Sequence, residues 1–147
     1  MKLITKNKKA YFEYEILDKY TCGIVLLGSE IKPIKNGEIS LSESYCIINN
    51  DEVFIKGSHV AQYTTSGKYD NHDPKRDRKL LLKKKEILKL KEKIGEKGLT
   101  IIPLNIHLTD TGLIKVSIGL CRGKKLWDKR QTIKDRDIKR DIDRQIK

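Results

Sequence analysis

The chain has 147 residues, of which 37% are apolar and 35% charged, and a formal net charge of +12. This composition fits one compact domain with an appendage and argues against two domains and against full disorder. No apolar run approaches the roughly 18 residues that span a bilayer, and the first residues carry neither an apolar h-region nor a small-residue cleavage site, so a cytoplasmic protein is expected.

The charge is uneven. Residues 74–97 hold eleven basic and four acidic side chains, residues 122–147 hold eleven and five, and the remainder is close to neutral. Two such patches on a neutral body suit a polyphosphate partner, because each phosphate met by Lys or Arg releases condensed counterions. Anionic membranes attract similar patches, but neither patch adjoins a membrane-spanning stretch.

In chain order, residues 11–17 alternate apolar or aromatic with polar positions, and residues 22–27 form a short apolar run. Two strands separated by a turn at Asp18 and Lys19 are expected there. Ser29 is the expected cap of a short helix, with Glu30 in its first turn, Pro33 near its start and Gly37 beyond its end. Residues 45–48 and 53–56 flank Asn49, Asn50, Asp51 and Glu52, a hairpin composition, and residues 59–63 are expected to extend the sheet.

Residues 64–73 read as a loop. Asp73 and Pro74 then look like the cap and first residue of a long amphipathic helix running to Ile94, with Leu80, Leu81, Ile87, Leu88 and Ile94 as its apolar stripe and a basic outer face. Gly95 and Gly98 stop it. Residues 99–108 and 113–120 form a second hairpin around Thr109, Asp110, Thr111 and Gly112.

The sum is a mainly β fold with helices: about six short strands closed into a small β-barrel, one long and one short helix, and a basic C-terminal tail. The body is expected to span residues 1–121 and the tail 122–147. In the tail, Ile138, Ile142 and Ile146 make a stripe too narrow to hold a helix alone, so it is expected to be disordered when free.

Catalytic signatures are weak. Asn71, His72 and Asp73 suggest a metal-dependent nuclease only faintly, since His72 lacks a second ligand at helical or hairpin spacing; loop structure and helix capping account for them better. No glycine-rich phosphate loop is present, and Ser44, Cys46 and the histidines show no local nucleophile pattern. Cys22, Cys46 and Cys121 are odd in number with no C-x-x-C, as expected of reduced structural thiols. No cofactor, metal or small-molecule substrate is implied.

Several segments, taken in order, carry more than composition does. Asn7-Lys8-Lys9-Ala10, Gly23-Ile24-Val25-Leu26-Leu27-Gly28-Ser29-Glu30-Ile31-Lys32, Asp73-Pro74 followed by Arg76, Arg78 and Lys79-Leu80-Leu81-Leu82, then Gly123-Lys124-Lys125 and Asp128-Lys129-Arg130, resemble the SsrA-binding protein family, also called small protein B. The likeness spans essentially the whole chain. It implies an oligonucleotide-binding-like barrel that binds transfer-messenger RNA (tmRNA) near the elbow of its tRNA-like part and carries it to stalled ribosomes for trans-translation, with elongation factor Tu involved only through the RNA.

On that resemblance the RNA face of the body comprises Asn7, Lys8, Lys9, Cys22, Gly23, Arg76, Arg78, Lys79, Leu81 and Lys115. The tail, with Gly123, Lys124, Lys125, Trp127, Asp128, Lys129, Arg130, Lys134 and Arg136, meets the small-subunit RNA in the empty mRNA channel and at the decoding centre, becoming helical there. Trp127 suits stacking on a base, worth roughly 1–3 kcal/mol; Lys129 and Arg130 suit phosphates, and Asp128 suits the cap of the induced helix. The chain departs from the family pattern where an acidic residue and alanine usually precede the glycine, having Thr21 and Cys22 instead. Lys83 also stands where several relatives carry other polar residues. A general tRNA- or rRNA-binding protein is the alternative that the motifs alone leave open.

Overall fold

The computed structural model describes residues 1–62, 72–96 and 98–124. Among them nine strands and three helices follow in the order β1 (Lys2–Lys6), α1 (Lys8–Glu13), β2 (Tyr14–Ile24), α2 (Gly28–Lys35), β3 (Ile39–Ser40), β4 (Tyr45–Asn49), β5 (Glu52–Lys56), β6 (His59–Val60), β7 (Arg78–Leu81), α3 (Lys84–Ile94), β8 (Leu99–Leu108) and β9 (Ile114–Gly123). The main sheet runs β1-β8-β4-β5-β7-β2-β9, and β9 also pairs with β8. Six strands therefore form a ring, with β1 added outside it. The mainly β expectation holds.

Inside the ring lies the larger core, including Cys22, Val53, Ile55, Leu80, Ile101, Ile106, Val116 and Ile118, with Leu90 of α3 packed against it. A smaller cluster forms where α1 lies on the outer side of β8, β9 and β2, through Ala10, Ile102, Leu104 and Cys121. All three cysteines are free and buried, as their spacing suggested. Burial pushes the Cys22 thiol up to about 12 and that of Cys121 up to about 11.

Both predicted hairpins are present. In the first, Asn50 and Asp51 take φ of 50° and 60°, the left-handed pair that matches strand twist in a two-residue turn. In the second, Thr109 accepts from Gly112 at 2.9 Å through its carbonyl and from Leu113 at 3.0 Å through Oγ1.

Other elements differ from the sequence reading. Residues 11–17 do not form one strand: α1 occupies the start, capped by Asn7 Oδ1, which accepts the Ala10 N–H. Asp18 and Lys19 make no turn between strands, because β2 continues through them with a bulge between Ile16 and Asp18. Asp18 accepts the Tyr20 hydroxyl at 2.9 Å and the Lys19 N–H at 3.0 Å. The turn-forming chemistry is used inside a strand.

The short helix starts two residues early, at Gly28. Glu30, not Ser29, caps it, accepting the Leu27 N–H at 2.8 Å, while Ser29 Oγ meets His72 Nδ1 at 3.0 Å. Gly37, with φ of 80°, ends it as expected. Strand β6 extends no sheet of the ring; it pairs with β3 as a separate ribbon.

The largest correction concerns residues 73–94. Asp73 and Pro74 begin a turn, with the Arg76 N–H donating to the Asp73 carbonyl at 3.1 Å, and β7 follows before α3 begins at Lys84. In β7, Arg78 and Leu80 point inward and Lys79 and Leu81 outward. That is period two, but a buried Arg conceals it. Within α3 the buried residue is Leu90, flanked by half-buried Ile87 and Ile94, whereas Leu88 is exposed.

Candidate nucleic-acid interface

Antiparallel register gathers the site. Gly23 of β2 stands opposite Leu81 of β7 on one side and Lys115 of β9 on the other. Lys115 in turn pairs with His107 of β8, and His107 with Leu3 of β1. Directly paired residues share a face, so these side chains form one transverse row on the outside of the ring. A second row, two residues along, contains Thr21, Ser117, Asn105 and Lys6.

The floor of these rows is low. Gly23 offers no side chain, and a Cβ there would come within 3.3 Å of Leu81 Cβ. Leu81 itself is 52% exposed. Thr21 and Ser117 are small and uncharged, so the face is a shallow polar strip bounded by an apolar shoulder at Leu81 and cations at Lys115 and Lys6. A strip of that kind admits a sugar-phosphate backbone closely. His107 is almost wholly buried, with Nδ1 2.9 Å from Asn105 Oδ1. Burial, the N-terminal ammonium and Lys115 hold its pKa below the usual 6.5, favouring the neutral ring.

Ion pairing separates the cations into two groups. On α3, Lys89, Lys91 and Lys93 lie 3.8, 2.8 and 3.8 Å from Asp18, Asp51 and Glu96. Lys79 is 3.6 Å from Glu52, and Lys9 is 2.8 Å from Glu43. Lys6, Lys8, Lys19 and Lys115 have no carboxylate within ion-pair distance among the described residues. Exposed pairs are worth only about 0.2–1 kcal/mol, so they remain exchangeable, but the unpaired lysines offer their charge outright. Part of the basic patch over residues 74–97 is thus neutralised by the body itself.

Two of that patch's arginines are structural. Glu30 and Arg78 are fully buried; Arg78 Nε donates to Glu30 Oε2 at 2.5 Å and Arg76 Nη2 to Glu30 Oε1 at 2.6 Å. Arg78 Nη1 also donates to Ser58 Oγ at 3.1 Å and to the Arg76 carbonyl at 2.9 Å. The arrangement fastens the start of α2 to β7, and Arg78 has no group left for RNA. Burial raises the Glu30 pKa, but bonds from Arg76, the Leu27 N–H and Arg78 outweigh it and hold the carboxyl below its usual value.

Asn7 is similarly committed. The β8 ladder shifts between Pro103 and Asn105, and Asn7 Nδ2 donates to the Pro103 and Leu41 carbonyls at 2.9 and 3.2 Å, while its N–H meets the Leu104 carbonyl at 2.8 Å. Asn7 joins β1, α1 and β8, and so orients Lys8 and Lys9 on α1. Cys22 points into the core rather than onto the face. His72 Nε2 lies 2.9 Å from the Val60 carbonyl, which can only accept, so Nε2 carries the proton and Nδ1 accepts from Ser29. Both nitrogens are used in packing, and no group of three His, Cys, Asp or Glu able to hold a metal occurs among the described residues.

The first residues assigned to the tail belong to the body. Arg122 and Gly123 end β9, paired with Glu15 and Tyr14, and the Lys124 N–H donates to the Glu13 carbonyl at 2.9 Å with Nζ on the Tyr11 carbonyl at 3.2 Å. Lys125, Trp127, Asp128, Lys129, Arg130, Lys134 and Arg136 lie outside the described residues, as does the expected disorder of the tail. Sequence reasoning missed His107 and Lys6, which strand register sets in the rows of Lys115 and Thr21, and Lys19 and Tyr11, which meet only in the folded chain.

The family model described as SmpB protein matches residues 4–147. The chain belongs to the SmpB family. Curated relatives similar to it include the SsrA-binding protein of Treponema denticola, 49% identical over 147 residues, which are 100% of this chain and 94% of the relative. That of Flavobacterium psychrophilum is 52% identical over 138 residues, 94% of this chain and 91% of the relative. A solved chain from work on tmRNA-SmpB and the centre of the bacterial ribosome is similar with a TM-score of 0.69 and 40% identity, covering 83% of this chain and 85% of that chain. The SmpB match begins within β1 and runs through β9 to the residues beyond Lys124.

Proposed function

We propose that the chain is a non-catalytic RNA-binding adaptor of trans-translation. Its body holds the tRNA-like domain of tmRNA and delivers it to stalled ribosomes, while its tail enters the empty mRNA channel and meets the decoding centre. The observation that carries this reading is the row of Leu81, Gly23 and Lys115, three residues distant in sequence yet adjacent on one outer face, in a chain of the SmpB family. The six-stranded ring, closed by pairing of β8 with β9, supports a barrel of the oligonucleotide-binding kind.

In this reading the body runs through Lys124, three residues past the expected boundary at 121, and the tail follows it. Gly23 admits the RNA backbone, Leu81 packs against a sugar or base, and Lys115, Lys8, Lys9 and Lys79 meet phosphates. Asn7, Arg76 and Arg78 keep those groups in register from behind. Elongation factor Tu joins through the RNA, and the setting is the cytoplasm. No helix among the described residues is long and apolar enough to cross a membrane, which is consistent with that setting.

Competition binding at physiological salt tests the reading. The protein is expected to prefer a tmRNA transcript to an unrelated hairpin of equal length by at least tenfold. Equal affinities would favour a general tRNA- or rRNA-binding protein instead.

A further inference from the structure

Tyr11 does more than pack, and it stands apart from the row of Leu81, Gly23 and Lys115. Its ring edges the small outer cluster, and two ammonium groups meet it: Lys6 Nζ at 4.5 Å from the ring centroid and Lys19 Nζ at 5.9 Å. Lys6 comes from β1 and Lys19 from β2, with β8 and β9 between them. Each side chain therefore reaches across the strip towards one aromatic on α1. The two amines are at most about 10 Å apart, within roughly one Debye length at 0.1 M salt.

No carboxylate relieves that like-charge approach among the described residues, in contrast to Lys89, Lys91 and Lys93 of α3. Lys6 lies in the same row as Thr21 and Ser117, and Lys19 lies two residues beyond Thr21 on the same face of β2. From Gly23 to Lys19 is roughly 13 Å along the strand at 3.3 Å per residue. A backbone crossing Lys115 and Gly23 and continuing over Thr21 arrives between the two ammonium groups.

We infer that Lys6, Lys19 and Tyr11 form a second phosphate seat at the α1 end of the RNA face, occupied by a phosphodiester of the same RNA strand that crosses Lys115. The seat rests on the tmRNA reading above. The aromatic ring attracts both cations through its quadrupole and restrains two otherwise mobile side chains, so that a bridging phosphate replaces their mutual repulsion with paired attraction. Because an ammonium is a point charge without the planar fork of Arg, the seat reads the backbone and not the base. Thr21 leaves the path between the two ends of the face free of negative charge.

The test measures affinity of the full-length protein for a tmRNA transcript across a salt series. Lys6→Gln and Lys19→Gln are each expected to reduce the slope of log affinity against log salt by about 1, and the double variant by about 2. Lys93→Gln, which loses only a partner of Glu96, leaves the slope unchanged. Tyr11→Leu is expected to lower affinity with its thermal midpoint checked in parallel, and Tyr11→Phe restores it. A double variant with the wild-type slope overturns the seat, as does a Lys93→Gln slope reduced as much as that of Lys19→Gln. If the wild type prefers tmRNA to the hairpin and the double variant keeps its slope, the seat alone fails; if the wild type has no preference while the double variant loses slope on both RNAs, the tmRNA reading fails and the phosphate seat stands.

Discussion

At the scale of single residues, charge did not disclose its role until burial was known. Arg78 and Glu30 are both fully buried, and each satisfies the other with help from Arg76, Ser58 and the Leu27 N–H. Glu30→Gln leaves the Arg78 guanidinium buried without its counter-charge and is expected to destabilise the protein by about 3–5 kcal/mol in urea unfolding. The carboxyl is held below its usual 4.5 in the folded state. Below that value the unfolded chain binds the proton first, so the pair's contribution, complete above pH 4.5, is lost as pH falls through the folded pKa. Wild type should therefore lose stability more steeply on acidification than Glu30→Gln, and parallel unfolding curves at successive pH values check it.

The resemblance also put Asn7 and Cys22 on the RNA face, but their side chains are turned to other partners. An asparagine before a basic helix and a cysteine beside the key glycine both sit at positions suited to RNA. The first is spent on the Pro103 carbonyl at the β8 bulge and on the Leu41 carbonyl between β3 and β4, and the second faces the core. Gly23, Leu81 and Lys115 were legible because a resemblance named them, and register then placed them together.

Among elements, the hairpins were readable because their turns lie next to their strands in sequence. Asn50, Asp51 and Gly112 need left-handed backbone, and local chemistry announces it. Strand β7 was not readable, since its inward Arg looks solvent-facing until Glu30 is brought to it from α2. The two-residue strands β3 and β6 and the edge strand β1 carry too little apolar pattern to register.

Gly57, between β5 and β6, shows how elements approach each other. Its φ is +78°, and a Cβ would stand 2.6 Å from the Glu43 carbonyl oxygen. Gly112 in the second hairpin has φ of +88° with nothing within 4 Å. Gly112→Ala is expected to cost about 1–3 kcal/mol for backbone conformation alone. Gly57→Ala pays that and must also displace a backbone carbonyl, so its thermal midpoint should fall clearly further. Equal midpoints would mean that the chain between β3 and β4 yields without cost.

For the whole molecule, the proposed division is between a body that meets tmRNA and a tail that meets the ribosome. The described chain supports a sharper cut than composition suggested, because Arg122, Gly123 and Lys124 are bonded into β9 and α1. Removing the residues after Lys124 is expected to leave tmRNA affinity within about twofold while abolishing peptide tagging on stalled ribosomes. A truncated protein that still supported tagging, or one that had lost tmRNA binding, would contradict the division. The first measurement is equilibrium binding, the second a reconstituted translation assay with messages lacking a stop codon.

Composition and order determined a good deal without coordinates: a small mainly β body, an excess of cations in two segments, buried thiols, two hairpins and membership of an RNA-binding family. These properties are local or additive, and a linear chain displays them directly. Tertiary structure decided which cations are free. Lys89, Lys91, Arg76 and Arg78 are matched by carboxylates that lie far away in sequence, whereas Lys6, Lys19 and Lys115 converge unmatched on one outer face. Electrostatic availability depends on distance and burial in space, and strand register, not position along the chain, sets both.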